Sequence, residues 1–219
     1  MPEPAAAIAA ARADLVRYGR RMAADRLVTG SAGNLSIRAG EAIVMTPSGM
    51  SYDEITARSI TVLDPAGAVL SGTGRRSSEW PMHRLIYERT GAGAVVHTHS
   101  PFAVAVSAVC DAIPAVHYAI LALGGPDVRV APYATFGSGG LAASVAAALD
   151  GRHGALLGNH GAVACGATIA QAYDRALLLE WLAEVYWRAR VAGTPRILTA
   201  AELDAVAQAG REHNYPGLG

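Results

Sequence analysis

The chain has 219 residues and a formal net charge of zero, because 18 acidic residues balance 18 arginines and there is no lysine. This length fits one sizeable α/β domain, and we expect a single domain over residues 1–219 because no change of composition marks a linker. No run of like charge exceeds a pair such as Arg75-Arg76, which argues against a surface for nucleic acid or an anionic membrane. The missing lysine excludes catalysis through a Schiff base.

The cysteines and the N-terminal segment bear on the compartment. Cys110 and Cys165 lie in apolar stretches without the spacing of metal ligands, so we expect both to be reduced core residues. Arg12 and Asp14 interrupt the alanine-rich N-terminal segment, which lacks the apolar core of a signal peptide. No stretch reaches the length of a membrane span. These features predict a cytoplasmic protein.

The first half of the chain predicts two hairpins between two helices. A stripe of apolar residues predicts a helix over residues 5–27. Hairpins are expected over residues 35–45 and 60–70, and the second contains Asp-Pro-Ala-Gly, a strong turn sequence. Ser78 is the expected N-cap of a helix that runs to about residue 89.

The second half predicts further strands and helices. Gly93, followed by apolar and β-branched residues, predicts a buried strand that reaches His99. The other expected elements are a helix over residues 101–109, a strand over 128–131, a helix over 141–149, a hairpin over 155–165, and helices over 169–191 and 199–210. Strands in hairpins, interleaved with helices, predict an α/β fold in which helices flank both faces of one mainly antiparallel sheet.

His97 and His99 are the first candidate site residues. On a strand, residues two apart point to the same face, roughly 6.6 Å from each other, which is near enough to share a cation. Two core histidines bonded to backbone groups would give the same pattern. The sequence favours a metal because the turn sequence around His160 offers a third imidazole, and Glu79 offers a carboxylate at a helix start. Three imidazoles and one carboxylate form a ligand set of the catalytic zinc type.

Three loops combine glycine with hydroxyl or amide side chains: residues 31–34, residues 46–49, and Ser77-Ser78 at a helix start. Backbone N–H groups at glycine turns and helix N-termini bind phosphate well. Each loop alone is more often an ordinary turn or cap. The hypothesis of a phosphate site therefore depends on their occurrence together with the candidate metal ligands.

Five motifs occur in the order typical of the class II aldolase/adducin family, which the chain resembles. They are Gly33-Asn34 with Ser36, Thr46-Pro47-Ser48-Gly49, Ser77-Ser78-Glu79-Trp80, Val95-Val96-His97-Thr98-His99 and Asn159-His160-Gly161. Residues 113–118 and 131–137 are similar to the L-fuculose-1-phosphate aldolase branch of that family. The resemblance extends from about Asp14 to Cys165. Ser31 and Ser48 stand where that branch has threonine, and the C-terminal segment matches poorly.

The resemblance implies a fold, an activity and a site. The fold would be an antiparallel sheet between helices, and the assembly a homotetramer with active sites at subunit interfaces. The activity would be that of a zinc-dependent aldehyde-lyase, which reversibly cleaves a ketose 1-phosphate such as L-fuculose 1-phosphate into dihydroxyacetone phosphate and a short aldehyde (L-lactaldehyde). The implied zinc ligands are Glu79, His97, His99 and His160. The implied phosphate-binding residues are Gly33, Asn34, Ser48, Gly49, Ser77 and Ser78.

Two further roles follow from the resemblance. Glu79 would be the catalytic acid/base as well as a ligand, and Tyr118 of a neighbouring subunit would meet the aldehyde oxygen. Tyr215 is a candidate for a second tyrosine on the aldehyde side. His83 is four residues after Glu79 and so on the same helix face, where it could support the site, but a structural role is favoured. His117, His153 and His213 are also expected to lie outside the site.

Other activities of the family stay open on the sequence. The 4-epimerases of L-ribulose 5-phosphate carry aspartate at the position of Glu79, which disfavours an epimerase. A methylthioribulose-phosphate dehydratase and a sugar-acid phosphate decarboxylase are compatible with the residues. A non-catalytic scaffold of the adducin kind should have a broken metal set, whereas the set here is complete. An unrelated zinc hydrolase is disfavoured because the chain has no His-Glu-x-x-His segment.

Overall fold

The computed structural model describes residues 4–215 and contains one mixed sheet flanked by helices. The strands are β1 (Asn34–Ala39), β2 (Ala42–Met45), β3 (Thr61–Leu63), β4 (Val69–Ser71), β5 (Ala94–Thr98), β6 (Ala112–Pro114), β7 (Asp127–Ala131), β8 (Gly154–Leu157) and β9 (Gly161–Gly166). The helices are α1 (Pro4–Ala24), α2 (Trp80–Thr90), α3 (Pro101–Ser107), α4 (Gly139–Ala148), α5 (Ile169–Ala192) and α6 (Ala200–Glu212), with a 3₁₀ helix at Tyr118–Leu123.

The nine strands lie in the order β4-β3-β2-β1-β5-β9-β8-β7-β6. Neighbouring strands are antiparallel, with the exception of the parallel pair β7–β8. The predicted hairpins are present as β1–β2, β3–β4 and β8–β9. The prediction of a mainly antiparallel sheet flanked by helices is thus confirmed.

Adjacent valines on β5 show how both faces of the sheet are covered. Val95 and Val96 are fully buried but belong to different cores, because neighbouring residues on a strand point to opposite faces. Val95 packs in the core that contains Met82 of α2, and Val96 packs with Leu15 of α1 and Tyr173 of α5. A third core packs α3, α5 and α6 against the β6–β8 end of the sheet. The central strand β5 is therefore covered on both sides.

The structure differs from the sequence-based prediction at several element ends. β5 ends at Thr98, because the last strand pair joins Thr98 to Ala162, and His99 lies just beyond it. The N-cap of α2 is Glu79 rather than Ser78, and its backbone N–H donates to the Ser77 hydroxyl at 3.2 Å. Strand β6, which is short and ends at a proline, was not expected from the sequence.

Two expectations about the whole chain extend beyond these elements. Within residues 4–215, no helix combines the length and the apolar composition needed to cross a membrane. The expectation of one domain over residues 1–219 includes terminal residues that the structure does not describe, and it stays a prediction.

Candidate metal centre and active site

Glu79 and three histidines converge at one end of β5. Their ligand atoms all lie within 4.8 Å of one another. Nε2 of His97 is 3.1 Å from Oε2 of Glu79 and 3.0 Å from Nε2 of His99. Nε2 of His160 is 3.4 Å from Oε1 of Glu79. The three imidazole rings are steeply inclined to one another, with centroids 4.8–4.9 Å apart, so the four side chains face one small common space.

Three local features bring these side chains together. His97 is the fourth residue of β5, and His99 follows the strand, where its backbone N–H donates to the carbonyl of Leu27 at 2.9 Å. His160 lies in the turn between β8 and β9, and the preceding Asn159 has a φ of 55°, in the left-handed region that asparagine tolerates. Glu79 occupies the N-cap of α2. Neighbouring strand ends and a helix start therefore supply all four residues.

Hydrogen bonding fixes which nitrogen of His97 faces this space. Nδ1 of His97 lies 2.9 Å from the carbonyl oxygen of Ala162, which can only accept, so Nδ1 carries the hydrogen. The lone pair of the neutral ring is then on Nε2, beside Glu79 and His99. An Nδ1–H bond to a backbone carbonyl is the usual way in which a protein orients a metal-binding imidazole.

The pKa values of the cluster reflect burial and mutual charge. Burial would raise the pKa of Glu79, but protonated His97, through its charge and a hydrogen bond from Nε2, and the hydrogen bond from Asn34 hold it well below its usual value. Against the effect of burial, Glu79 in turn raises the pKa of His97. Burial and the charges of His97 and His160 lower the pKa of His99 to about 4. Burial and His97 also lower the pKa of His160. At neutral pH, Glu79 is therefore ionised, and both of these imidazoles are neutral, the forms that bind metals.

The donor set fits a divalent metal ion. Three imidazole nitrogens and a carboxylate are ligands that suit zinc and other first-row ions. In addition, Oε1 of Glu79 is buried and accepts no hydrogen bond within residues 4–215. A buried carboxylate oxygen without a partner is costly, and a cation among these four side chains would satisfy it.

The other carboxylate oxygen of Glu79 is held from the opposite side. Nδ2 of Asn34 donates to Oε2 of Glu79 at 2.7 Å, and both side chains are buried. Asn34 is paired with His97 across β1 and β5, so the two side chains point to the same face of the sheet. The register of two neighbouring strands thus sets Asn34 and His97 side by side against the start of α2.

A cavity of about 230 Å³ adjoins the cluster. All six residues that the sequence analysis assigned to phosphate binding line it: Gly33, Asn34, Ser48, Gly49, Ser77 and Ser78. Glu79, His99 and His160 contribute to the same wall, and Phe136 adds the apolar part. The structure therefore brings the three glycine- and hydroxyl-bearing segments together around one space next to the candidate metal ligands.

Gly33 is required where its loop meets β5. Its φ is 69°, and a Cβ there would lie 2.6 Å from the carbonyl oxygen of His97 and 2.7 Å from a methyl group of Val28. The hydroxyl of Tyr52 donates to the Gly33 carbonyl at 2.8 Å and fixes the loop from the other side. These contacts hold the first loop against the strand that carries His97.

Arg75 lies beside Gly49 at the rim of this cavity and was not among the residues expected there. The Nη2 atom of Arg75 lies 3.4 Å from the position that a Cβ on Gly49 would take, and the Arg75 carbonyl accepts from the N–H of Ser48 at 2.9 Å. Arg75 is exposed and forms no salt bridge within residues 4–215. Its neighbour Arg76 instead donates to the carbonyl of Gly67 at 2.6 Å. The sequence feature that could have identified Arg75 as a phosphate-binding candidate is its position next to a serine- and glycine-rich loop.

The two tyrosines assigned to the aldehyde side do not line this cavity. Tyr118 begins the 3₁₀ helix, is half-exposed, and stacks on His117 with ring centroids 4.4 Å apart. His117 in turn contacts Trp181 edge-on. Tyr215 is exposed beyond the end of α6. The roles of Tyr118 of a neighbouring subunit and of Tyr215 at the aldehyde therefore stay predictions.

A larger cavity, of about 860 Å³, lies elsewhere, between α2, α4 and the turn that precedes β8. Arg89, Asp150, Arg152 and His153 provide its polar lining. Arg152 is already bound to Asp127 at 2.7 Å. Over residues 4–215, the cluster at Glu79 is the one group of three or more candidate metal ligands, so the larger cavity does not compete for that role.

Comparison with known proteins agrees with this geometry. Residues 13–187 match the family described as Class II Aldolase and Adducin N-terminal domain. A 5-methylthioribulose-1-phosphate/5-deoxyribulose-1-phosphate aldolase from Rhodospirillum rubrum is 40% identical over 90% of this chain and 89% of its own. An L-fuculose phosphate aldolase from Escherichia coli is 42% identical over 72% of this chain and 73% of its own.

A solved structure shares the fold. An L-fuculose 1-phosphate aldolase superposes with a TM-score of 0.86 at 35% identity, over 92% of this chain and 96% of that one. The match with the family covers the whole sheet, helices α2 to α4, most of α5 and all four residues of the metal cluster, and it ends before α6. The chain therefore belongs to the class II aldolase and adducin family.

Proposed function

We propose that the protein is a metal-dependent aldolase that reversibly cleaves a ketose 1-phosphate into dihydroxyacetone phosphate and a short aldehyde. The observation that carries the proposal is the convergence of Glu79, His97, His99 and His160 beside a small cavity lined by serine, glycine and asparagine. The absence of lysine supports it, since the alternative route through a Schiff base is closed.

Zinc is the proposed metal, held by the three histidines and Glu79. When bound, zinc supplies Lewis acidity that stabilises negative charge on the ketone oxygen and the neighbouring hydroxyl oxygen of the substrate. The three histidines would provide neutral nitrogen ligands, and Glu79 would be the ligand that substrate can displace.

Glu79 is the proposed acid/base. In the condensing direction, its carboxylate takes a proton from the hydroxyl-bearing carbon of dihydroxyacetone phosphate, and that carbon then attacks the aldehyde. Tyr118 of a neighbouring subunit gives its proton to the oxygen of the aldehyde as the new carbon–carbon bond forms. Cleavage is the reverse of these steps. The carboxylate is ionised at neutral pH because its pKa is held low, and Asn34 fixes its orientation.

The proposed phosphate site is the cavity lined by Gly33, Asn34, Ser48, Gly49, Ser77 and Ser78. Neutral donors dominate this lining, whereas a phosphate monoester carries close to two negative charges at neutral pH. Arg75, next to Gly49, would supply a positive charge at the rim. A guanidinium is well suited to bind phosphate oxygens because its N–H groups form a planar fork.

The proposed substrates share the half that becomes dihydroxyacetone phosphate and differ in the aldehyde. The relative from Rhodospirillum rubrum is named for 5-methylthioribulose 1-phosphate and 5-deoxyribulose 1-phosphate, and the relative from Escherichia coli for L-fuculose phosphate. We favour the first two, because that similarity extends over 90% of the chain, compared with 72% for the second. The exposed ring of Phe136 at the cavity also suits an aldehyde with an apolar end.

A homotetramer with active sites at subunit interfaces is the proposed assembly. It would bring Tyr118 of one subunit to the cluster of the next. Exposed aromatic side chains support subunit contacts, because exposed apolar surface is typical of protein–protein interfaces. The exposed aromatic residues include Tyr118, Tyr133, Phe136, Trp181 and Trp187. We also propose that the protein resides in the cytoplasm.

An assay of dihydroxyacetone phosphate release tests the function. Purified protein loaded with zinc should cleave 5-deoxyribulose 1-phosphate and its 5-methylthio derivative faster than L-fuculose 1-phosphate. It should not act on the same sugars without phosphate. Epimerisation, dehydration or decarboxylation of a sugar phosphate in place of cleavage would identify another activity of the family. Absence of bound metal together with absence of turnover would identify a scaffold.

A further inference from the structure

A second group of buried polar side chains adjoins Glu79, away from the histidine cluster. Besides its bond to Glu79, Asn34 contacts Nε2 of His83 through Oδ1 at 2.5 Å. Nδ1 of His83 lies 2.7 Å from the hydroxyl of Ser36, which lies 2.7 Å from the hydroxyl of Tyr87. All five residues are buried, and His83 has no exposed surface. We call this series the Asn34–Tyr87 chain.

The series follows from matching repeats in two elements. Glu79, His83 and Tyr87 are four residues apart at the start of α2 and along it, which corresponds to a rise of about 6 Å per step. Asn34 and Ser36 are two residues apart on β1, a rise of about 6.6 Å. Because the two repeats nearly coincide, His83 fits between Asn34 and Ser36, with one ring nitrogen towards each.

The direction of every hydrogen bond in the Asn34–Tyr87 chain is determined by the carboxylate. An ionised carboxylate only accepts, so the amide of Asn34 must present its nitrogen to Glu79 and its oxygen to His83. That oxygen only accepts, so Nε2 of His83 must carry a hydrogen.

The remaining hydrogen bonds of the Asn34–Tyr87 chain then have one consistent set of directions. The ring of His83 is fully buried and both of its nitrogens meet uncharged partners, so a positive charge there would be costly. The ring is therefore neutral, and Nδ1 has a lone pair. Nδ1 therefore accepts from the hydroxyl of Ser36, and the Ser36 oxygen accepts from the hydroxyl of Tyr87. Donation runs in one direction, from Tyr87 to Glu79.

We infer that His83 is a positioning residue for Glu79, because it holds the Asn34 amide with its nitrogen towards the carboxylate through a one-way donor chain that begins at Tyr87. If the amide turned over, its oxygen would face a carboxylate oxygen, and both the hydrogen bond and the orientation of Glu79 would be lost. His83 does not line the cavity, so it acts through Asn34 and not on the substrate. The effect on turnover rests on the proposed function, whereas the hydrogen-bond directions do not.

Neutron diffraction from the zinc-loaded protein, crystallised near neutral pH after deuterium exchange, tests the directions. We expect a deuteron on Nε2 of His83 and none on Nδ1, with the Ser36 hydroxyl directed at Nδ1. His97 is the internal control, since its bond to the Ala162 carbonyl requires the opposite tautomer, with the hydrogen on Nδ1. A deuteron on Nδ1 of His83, with or without one on Nε2, would overturn the inference whatever reaction the protein catalyses.

Two variants test the effect on turnover. A glutamine amide offers N–H donors and an acceptor oxygen, so His83→Gln can keep both bonds, whereas His83→Leu keeps only volume. Changes in residues that orient metal ligands typically cost 10–100-fold, and we expect a loss in kcat of roughly that size for His83→Leu, with a smaller change in KM. His83→Gln should recover most of it, and both variants should bind zinc.

The outcomes separate the inference from the proposed function. Equal losses in both variants, or wild-type kcat in both, would contradict the positioning role. If the wild-type protein cleaved no ketose phosphate, the proposed function would fail, and the deuteron positions would still decide the inference. If His83→Leu did not fold, comparison of His83→Gln with the wild type, together with the diffraction result, would decide it.

Discussion

Two groups of buried polar side chains meet at Glu79, and their hydrogen bonds are used differently. In the histidine cluster, Nε2 atoms of three rings and Oε1 of Glu79 face one another without a complete set of donors and acceptors. In the Asn34–Tyr87 chain, each side chain between Glu79 and Tyr87 has a hydrogen-bond partner on both sides. The first arrangement can take up a cation and exchange a ligand. The second is closed, and it can only hold geometry.

The difference matters because one carboxylate belongs to both groups. Oε2 of Glu79 accepts from Asn34, while Oε1 has no hydrogen-bond partner in the described part of the chain. A carboxylate that would serve both as metal ligand and as base needs one oxygen that is free to change partners and one that is fixed. Substitutions in the histidine cluster, the open side of Glu79, should therefore reduce metal binding and turnover most. Substitutions in the Asn34–Tyr87 chain, the closed side, should have smaller effects.

Loss of the metal should have the largest effect. Chelation should abolish turnover and added zinc should restore it, because no lysine is available for another route. His97→Ala should lower zinc content together with activity. His153→Ala is the matched control, since that residue lies at the larger cavity and should leave zinc bound. Wild-type zinc stoichiometry in His97→Ala, measured by atomic emission, would contradict the ligand assignment.

Replacement of Glu79 by glutamine should have the next largest effect. The amide keeps the size and one oxygen but cannot take a proton. General acid–base groups contribute ~10²–10⁴-fold, and turnover should fall by that order. Zinc binding should fall far less, since three imidazoles remain. Retained turnover in steady-state assays would place the base elsewhere, and complete loss of zinc would make Glu79 chiefly a ligand.

Removal of Arg75 should have a moderate effect that is confined to phosphate. Arg75→Ala should raise KM for a ketose 1-phosphate and the inhibition constant of inorganic phosphate by about tenfold, the order expected for one hydrogen bond to a charged group. Arg76→Ala, which loses only the bond to the Gly67 carbonyl, is the matched control and should change neither constant. The assignment of Arg75 would be wrong if the two variants gave the same inhibition constant.

The smallest expected effect concerns stability at acidic pH. His83 has a pKa lowered to about 3, against an ordinary value near 6.5 in the unfolded chain, with Glu79 and His97 as the nearest charged groups. Between these values the unfolded state binds a proton that the folded state does not, so stability falls as pH falls. His83→Gln removes this contribution. The pH slope of the unfolding free energy should therefore be smaller, by on the order of 1 kcal/mol per pH unit. Identical slopes for both proteins in urea unfolding between about pH 4 and 6 would contradict it.

The sequence predicted the open side of the site better than the closed side. The His97 and His99 pair and the turn around His160 have local patterns, and the structure brings their side chains together with Glu79. The position of His99 beyond β5 was not predictable, because a strand ends where pairing ends, and pairing depends on β9.

The closed side depends on how α2 lies on β1, which is a tertiary property. The sequence placed His83 on the helix face of Glu79 but favoured a structural role, and its partners, Asn34 and Ser36, could not be identified because they are more than forty residues away in the chain. The signal was present as two repeats, four residues on a helix and two on a strand, but only their contact gives it meaning. The prediction that Ser78 caps α2 was wrong. The helix begins one residue later, and the hydroxyl that accepts from the N–H of its N-cap Glu79 is that of Ser77.

Exchange of hydrogen from dihydroxyacetone phosphate in deuterated water tests most directly whether Glu79 is the base of a metal-dependent aldolase. The wild-type protein with zinc should exchange one hydrogen on the hydroxyl-bearing carbon in the absence of any aldehyde, as followed by proton NMR. Glu79→Gln with zinc bound should lose that exchange along with cleavage. Exchange at the wild-type rate in the variant, or none in the wild-type protein with zinc, would contradict the account.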